Sequence, residues 1–234
     1  MDAVAAPPRT YPKLSYVQPD DTGFKARVIE GLEQLTGRRR LERIYHQLKD
    51  EATPQAEFFG RGLELARIDY QRDAERESRI TREGPLVVEA NHPYGVIDGM
   101  MLCDLAARTR GDFKILIHAL LCRDPDLDSL FLPVDFSETP EAVRHNITIK
   151  KRAQAYLREG GTLLVFPGSG VATRTAYGLG SYDDFPWTTF PAKLIHKSSA
   201  NVVPVFFHGR YSPLFHFASG ISETLRAALL LHEA

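Results

Sequence analysis

The stretch EANHPYGVIDGMM, Glu89 to Met101, sets a histidine, a turn glycine and an aspartate between an apolar run and a helix-like segment. The run before it, GPLVVEA, has the short apolar character of a buried strand that ends near Ala90. His92 then lies on a loop at a strand's carboxyl end, where α/β folds place their ligands. Pro93 and Gly95 suit a sharp turn, and Asp98 falls at the start of the next helix. A carboxylate there can accept from one imidazole nitrogen. It fixes the tautomer and stabilises the imidazolium formed when the other nitrogen takes a proton, which makes the pair a general base. A free imidazole has a reference pKa of about 6.5, close to working pH. The plainer reading is a helix-capping Asp98 and a His92 that satisfies a loop hydrogen bond; for an isolated pair it is the commoner case.

Further along, FKILI (Phe113 to Ile117), LFLPVDF (Leu130 to Phe136), GTLLVFP (Gly161 to Pro167) and NVVPVFF (Asn201 to Phe207) repeat the buried-strand pattern. Helical segments fall between several of them. Asp98 to Arg108 is one. Thr139-Pro140-Glu141 is a helix start, with a cap, a proline at the first position and an acid in the first turn, and Gly160-Gly161 is a stop. Strands alternating with helices predict an α/β fold, with a mixed, mostly parallel sheet flanked by helices.

Residues 1–23 are rich in Pro and Asp and read as an irregular arm. From Phe24 to Lys49, apolar residues at spacings of three and four predict two short amphipathic helices meeting near Thr36 and Gly37. Seven Lys or Arg against three Glu make this segment basic. Two readings stay open: a helix pair on an anionic membrane surface, or solvated helices packed on the core. A further helical stretch spans Glu57 to Leu65. The chain of 234 residues suits one domain over 24–234, with N-terminal helices at 24–66 and an αβ core at 80–234. With 43% hydrophobic and 25% charged residues it is ordinary globular composition. Cys103 and Cys122 are too few for a disulfide framework and fit a reducing cytoplasm. No run approaches the roughly 18 apolar residues of a spanning helix, and MDAVAAPPRTYP lacks the pattern of a signal peptide.

NHPYGVIDG resembles the histidine-aspartate block of the glycerolipid and lysophospholipid acyltransferases of the 1-acylglycerol-3-phosphate type, above all their bacterial hemolysin-like branch. FLPVDF, LREGGTLLVFPGSGVATR and PWTTFPAKLIHKSSANVVPVFFHGRYSPLFHFAS continue the resemblance in order, from roughly Asp20 to the end. It implies the family's αβ acyltransferase domain, with His92 as base and Asp98 as its partner. The reaction implied moves a fatty acyl group from acyl carrier protein or coenzyme A to a lysolipid hydroxyl in membrane lipid synthesis. The thioester is a co-substrate, and no cofactor or metal is implied. The expected place of action is peripheral, on the cytoplasmic face of the inner or plasma membrane.

Substrate contacts are expected from Asn91, Pro93 and Gly95, and from Gly168-Ser169-Gly170, whose backbone amides could face an oxyanion. Two features depart from the family pattern. Five residues, Pro93 to Ile97, separate His92 from Asp98 where the better-known glycerol-phosphate members have four. After Phe166-Pro167, Gly168 stands in place of an acid and Val171 in place of an arginine, the nearest being Arg174. An aminolipid acceptor, such as a lyso-ornithine lipid, is therefore an alternative to a glycerol phosphate. His208 and Arg210 are candidates for an anionic headgroup or a phosphopantetheine phosphate, against a solvated strand end. Arg144 and Lys150-Lys151-Arg152 are either a carrier-protein contact or a solvated face.

Other chemistries lack support. His118, His145, His196 and His216 show no metal-ligand spacing and read as core or surface histidines. PGSGV is not a nucleophile elbow, because Pro167 stands where a glycine should. GLGSYD lacks the third glycine and the strand of a dinucleotide site. A net charge of -1 without an aromatic-basic face gives no support for nucleic acid binding. Trp187 suits an acyl channel, a membrane interface or, most commonly, a core. TLRAALLLHEA reads as an amphipathic helix beyond which relatives of this branch tend to continue. A non-catalytic lipid-binding or tethering protein on the same scaffold, and a lipid or thioester hydrolase, remain the rivals from other classes.

Overall fold

Burial on both faces is what the apolar runs require, and a parallel sheet provides it for Leu86–Ala90 and Thr162–Val165, whereas the run from Asn201, expected to be buried, forms an edge strand that stays partly exposed. The computed structural model describes residues 11, 22–23, 26–27, 30–31, 38–168, 170–174, 182–213 and 216, without the side chains of 120, 173, 174, 182 and 183. The arm over 1–23, the helix begun at Phe24 and the C-terminal helix lie wholly or mostly outside them. Five strands pair in parallel: Leu86–Ala90 (β1), Lys114–His118 (β2), Phe131–Val134 (β3), Thr162–Val165 (β4) and Asn201–Val205, numbered β7 after the ribbon described below. Their order is β3-β2-β4-β1-β7. The register runs from Leu86 opposite Thr162 to Glu89 opposite Val165, and from Leu86 opposite Asn201 to Ala90 opposite Val205. The sheet expected to be mixed and mostly parallel is parallel throughout these five strands. Antiparallel pairing occurs apart from it, between Thr173–Arg174 (β5) and Tyr182–Asp183 (β6). Pro133 and Pro204 fall in β3 and β7, the two edge strands, where a missing backbone donor interrupts no interior ladder.

The helices are Arg38–Asp50 (α1), Phe58–Leu65 (α2), Ala74–Ser78 (α3), Val96–Arg110 (α4), Pro140–Arg158 (α5) and Phe190–Ser198 (α6). Thr139 caps α5 by accepting from the Ala142 amide, with Pro140 in the first turn. Gly160 follows that helix at φ 90°, a backbone that side-chain-bearing residues resist. One face of the sheet, through Leu86, Val88, Ile115 and Leu164, packs on Leu102, Cys103 and Ala106 of α4 and on Phe58 and Phe59 of α2. The other face, through Val87, Leu132, Leu163 and Val165, packs on Ile149, Ala153 and Leu157 of α5 and Leu194 of α6. Each fully buried leucine contributes about 1.5–3 kcal/mol, so the two layers fix the strands between them.

Of the two readings of the basic N-terminal helices, α1 takes the packed one over its described length. Tyr45 and Leu48 are buried and join the core beside α2, and Leu41 and Ile44 of the same apolar stripe also face inward.

The topology decides where a site can form. After β1 the chain crosses the first face through α4 to reach β2. After β4 it crosses the second face through α6 to reach β7. β1 and β4 are neighbours, so their carboxyl ends send the chain to opposite faces and leave a crevice between them, the switch point at which open α/β sheets bind ligands.

Candidate active site

His92 stands two residues past the end of β1, at that crevice. The loop turns at Gly95, whose φ 61° and ψ -117° belong to glycine, and this sets the first turn of α4 facing back toward the histidine. Asp98 occupies that turn, fully buried. Its Oδ2 lies 3.1 Å from His92 Nδ1 and accepts from the Tyr94 amide at 2.6 Å. His92 Nδ1 therefore carries the shared proton when Asp98 is ionised, and Nε2 is left for a substrate. Burial pushes the Asp98 carboxyl above its ordinary pKa; His92 and the amides of Tyr94 and Gly95 act against it without cancelling it. Asp98 Oδ1 is buried with no hydrogen-bond partner among the described residues. Such an under-solvated carboxylate holds a neighbouring proton strongly.

Phe166, just after β4, stacks on the His92 ring with centroids 4.0 Å apart and planes 25° from parallel. The ring is thus held along one edge by a carboxylate and across one face by an aromatic ring. The main chain is fixed too, since the Ala172 amide donates to the His92 carbonyl at 2.8 Å. Asn91 bonds Phe207 twice: the Phe207 amide donates to Oδ1 at 2.7 Å, and Nδ2 donates to the Phe207 carbonyl at 2.9 Å. This side chain continues the β1–β7 pairing beyond Ala90 and sets where the chain leaves the sheet. Tyr211 donates to the Tyr94 carbonyl and Tyr94 to the His208 carbonyl, which closes the loop on that side.

His92 opens into a cavity of about 730 Å³. One arm runs over the first face of the sheet between α1, α2 and α4, lined by Ile44, Phe58, Phe59, Met100, Ile115 and Phe131. Another reaches the second face, past Leu116, Val134, Ile149, Val165 and Phe190. The volume fits a lipid-sized ligand, and the lining is almost wholly apolar. His118, Arg123, Asn146 and Lys150 are its polar exceptions besides His92 and Thr188.

The sequence candidates divide. His92, Gly95 and Gly170 line the cavity, and Asp98 backs His92. Gly168 sits against the Phe185 carbonyl, where an added Cβ would come within 2.9 Å. Asn91 is occupied by Phe207, and Pro93 is buried in the loop. His208 and Arg210 are exposed and do not line the cavity. Ser169 and the Arg174 side chain lie outside the described residues. His118, which the sequence placed among core or surface histidines, does line the cavity, beside Phe136 at a centroid distance of 5.1 Å. Burial lowers its pKa, with Asp135 acting against the shift, so the neutral form is favoured. Its position was legible: His118 ends β2 as His92 follows β1, on the same edge of the sheet.

Chemically, the arrangement is a positioned base at the junction of an apolar cavity, with no side-chain nucleophile activated beside it among the described residues. The buried Cys103 thiol also lines the cavity, but desolvation and Asp104 push its pKa upward, which keeps it protonated and inert. Such a site suits proton removal from one ligand that attacks another.

Comparison with known proteins bears on the same point. No curated protein matches the chain. A family model described as Acyltransferase matches residues 41–231, a span that holds β1 to β7, His92, Asp98 and the cavity. The chain belongs to this acyltransferase family.

Proposed function

We infer that this acyltransferase moves a fatty acyl group from a thioester, on acyl carrier protein or coenzyme A, to the hydroxyl of a lysolipid, with His92 as the general base. The observation that carries the reading is the His92–Asp98 pair at the junction of a long apolar cavity. His92 Nε2 takes the acceptor hydroxyl proton as that oxygen attacks the thioester carbonyl. The tetrahedral intermediate collapses with a new C–O ester bond and a broken C–S bond, and the leaving thiolate takes the proton from the imidazolium. Asp98 stabilises that imidazolium and keeps its own charge. Holding the two ligands together in one orientation supplies much of the rate enhancement, and the two arms offer separate places for two chains.

Arg123 and Lys150 are the cations of the cavity wall and suit an acceptor with an anionic group. A lysophospholipid and a lyso-aminolipid both carry one, so the product mass decides between them. The test is mass spectrometry of purified protein with acyl thioesters and a panel of lysolipids, beside His92→Ala. A diacyl product that vanishes in the variant supports transfer. Lipid binding that survives in the variant, with no product from any pair in the wild type, sinks it in favour of a tether; free fatty acid without acceptor identifies a hydrolase.

A further inference from the structure

Among the described residues eight large apolar side chains are exposed; seven stand at the carboxyl end of the sheet, Phe206 after the edge strand β7 and six on the elements around β2, β3 and β4: Leu121, Phe136, Val143, Ile147, Phe185 and Trp187. Leu121 follows β2, Phe136 follows β3, Val143 and Ile147 lie one turn apart near the start of α5, and Phe185 and Trp187 precede α6. Asn146 joins these elements, accepting from the Asp135 amide at 3.0 Å and donating to the Asp135 carbonyl at 2.6 Å, so the outer row of α5 is fixed to the chain that carries Phe136. Leu121 and Phe136 also line the cavity, and the Phe185 ring packs over Gly170, another lining residue. The patch is thus the rim of the cavity's mouth. Contiguous apolar exposure of this kind marks an interaction surface.

We propose that this rim is the face on which the protein docks to a lipid bilayer, an inference that rests on the lipid-substrate reading of the cavity. Three observations favour a bilayer over a protein partner. The patch is continuous with the apolar interior, so an acyl chain can pass from hydrocarbon to the cavity without crossing water. Trp187 is half exposed and donates from Nε1 to Asp184 at 2.8 Å, the ring-out, tip-bonded disposition of interfacial tryptophans. Exposed Lys150, Lys151 and Lys193 stand on the same two helices, and Lys150 lies 5.1 Å from the Phe190 ring that joins α5 to α6. Cations beside an apolar rim complement anionic headgroups. The basic helix α1 does not compete for this role over its described length, because its apolar stripe is turned inward.

The test is sedimentation of the full chain with vesicles of phosphatidylcholine alone and of phosphatidylcholine mixed with phosphatidylglycerol. Val143→Ser/Ile147→Ser replaces two outward residues that do not line the cavity, and Trp187→Ala removes a third. Each variant is expected to bind mixed vesicles about tenfold more weakly than wild type. Val202→Ser, altering an exposed apolar residue near the amino end of the far edge strand, should bind as wild type does. Undiminished binding by the Val143/Ile147 variant overturns the proposal, as does absence of wild-type binding to both vesicles. Normal vesicle binding with lost affinity for an acidic carrier protein also overturns it and makes the rim a protein contact. Turnover of a short-chain thioester with a soluble alcohol should be unchanged in the Val143/Ile147 variant. Vesicle binding without any wild-type turnover defeats the transfer reading and leaves the docking face standing.

Discussion

The two ends of the same sheet are built on opposite plans, and α4 runs from one to the other. At its last residue Arg110 donates to the Thr162 hydroxyl at 2.8 Å and to the carbonyls of Thr81, Gly84 and Gly160 at 2.7, 2.6 and 3.2 Å. That guanidinium closes the amino ends of β1 and β4. About 18 Å away along the helix, Asp98 sits buried with one oxygen unpartnered beside His92 and an open cavity. The helix dipole favours both charges, a carboxylate in the first turn and a cation in the last. What differs is satisfaction: at the amino end the Arg110 guanidinium is met by four acceptors, whereas the carboxyl end holds a buried carboxylate with one unpartnered oxygen and apolar surface turned to a void. Stability is concentrated at one end so that reactivity can be placed at the other.

Substitution should separate the ends. His92→Ala has the largest expected effect, a fall in transfer rate of roughly 10³- to 10⁴-fold measured at a temperature where the variant is folded. A rate within tenfold of wild type would remove His92 from the chemistry.

Asp98→Asn comes next. Because Oδ2 also accepts from the Tyr94 amide, the asparagine oxygen takes its place, and a neutral group then stands where the anion stabilised the imidazolium, so the rate should fall by about 10³-fold. Stability should move the other way. Because burial raises the folded-state pKa of Asp98, the folded protein binds the proton more tightly than the unfolded chain. That contribution is fully present below the unfolded carboxylate value of about 3.9 and is lost as pH rises through the raised one. At neutral pH the ionised, buried Asp98 is therefore a burden that asparagine relieves. A melting temperature at neutral pH no lower than wild type, beside a collapsed rate, is the expected pair of results. Equal losses in both would make Asp98 a structural cap.

Arg110→Ala is the converse. Four hydrogen bonds, one to a buried hydroxyl, disappear, and unfolding should become easier by about 2–4 kcal/mol. At temperatures where the variant is folded its turnover should stay within a few-fold of wild type, as urea titration beside a rate assay would reveal. A rate loss as large as that of Asp98→Asn would mean the ends are not separate.

The fold was readable because its signals are local. Each strand announces itself in a run of three to five apolar residues, and Thr139-Pro140 and Gly160 mark the limits of α5 by their own backbone preferences. All five strands fall where the sequence puts them, with ends shifted by a residue or two, as hydrogen-bonded register rather than composition fixes the last pair. His92 and Asp98 were readable for the same reason, being six residues apart across one turn. Strand order was not, since neighbours β1 and β4 are separated by more than seventy residues. The cavity follows from that order and so was hidden with it. Asn91 shows the limit plainly: its partner is Phe207, 116 residues away, and nothing around Asn91 names it. His118 was missed by asking whether histidines space as metal ligands, when its place at the end of a strand was the informative feature.

The smallest expected effect concerns a glycine for which packing offers no reason. Gly99 lies inside α4, next to Asp98, and a Cβ built on it meets no atom within 4 Å. A helix-interior glycine is less stable than alanine by about 1 kcal/mol, and neither crowding nor a positive φ excuses it here. It lines the cavity near His92. The open space is then what the missing side chain supplies, room for a ligand chain beside the base. Gly99→Ala should raise the melting temperature by about 2–4 °C and leave short-chain transfer intact. Gly99→Phe should keep the fold, because its ring enters the cavity, yet lower kcat/KM for long-chain thioesters by about tenfold more than for short ones. An identical chain-length profile in wild type and Gly99→Phe would mean that the acyl chain takes the other arm, and it would turn the search for a length-setting residue to the second face, where Ile149 and Phe190 stand.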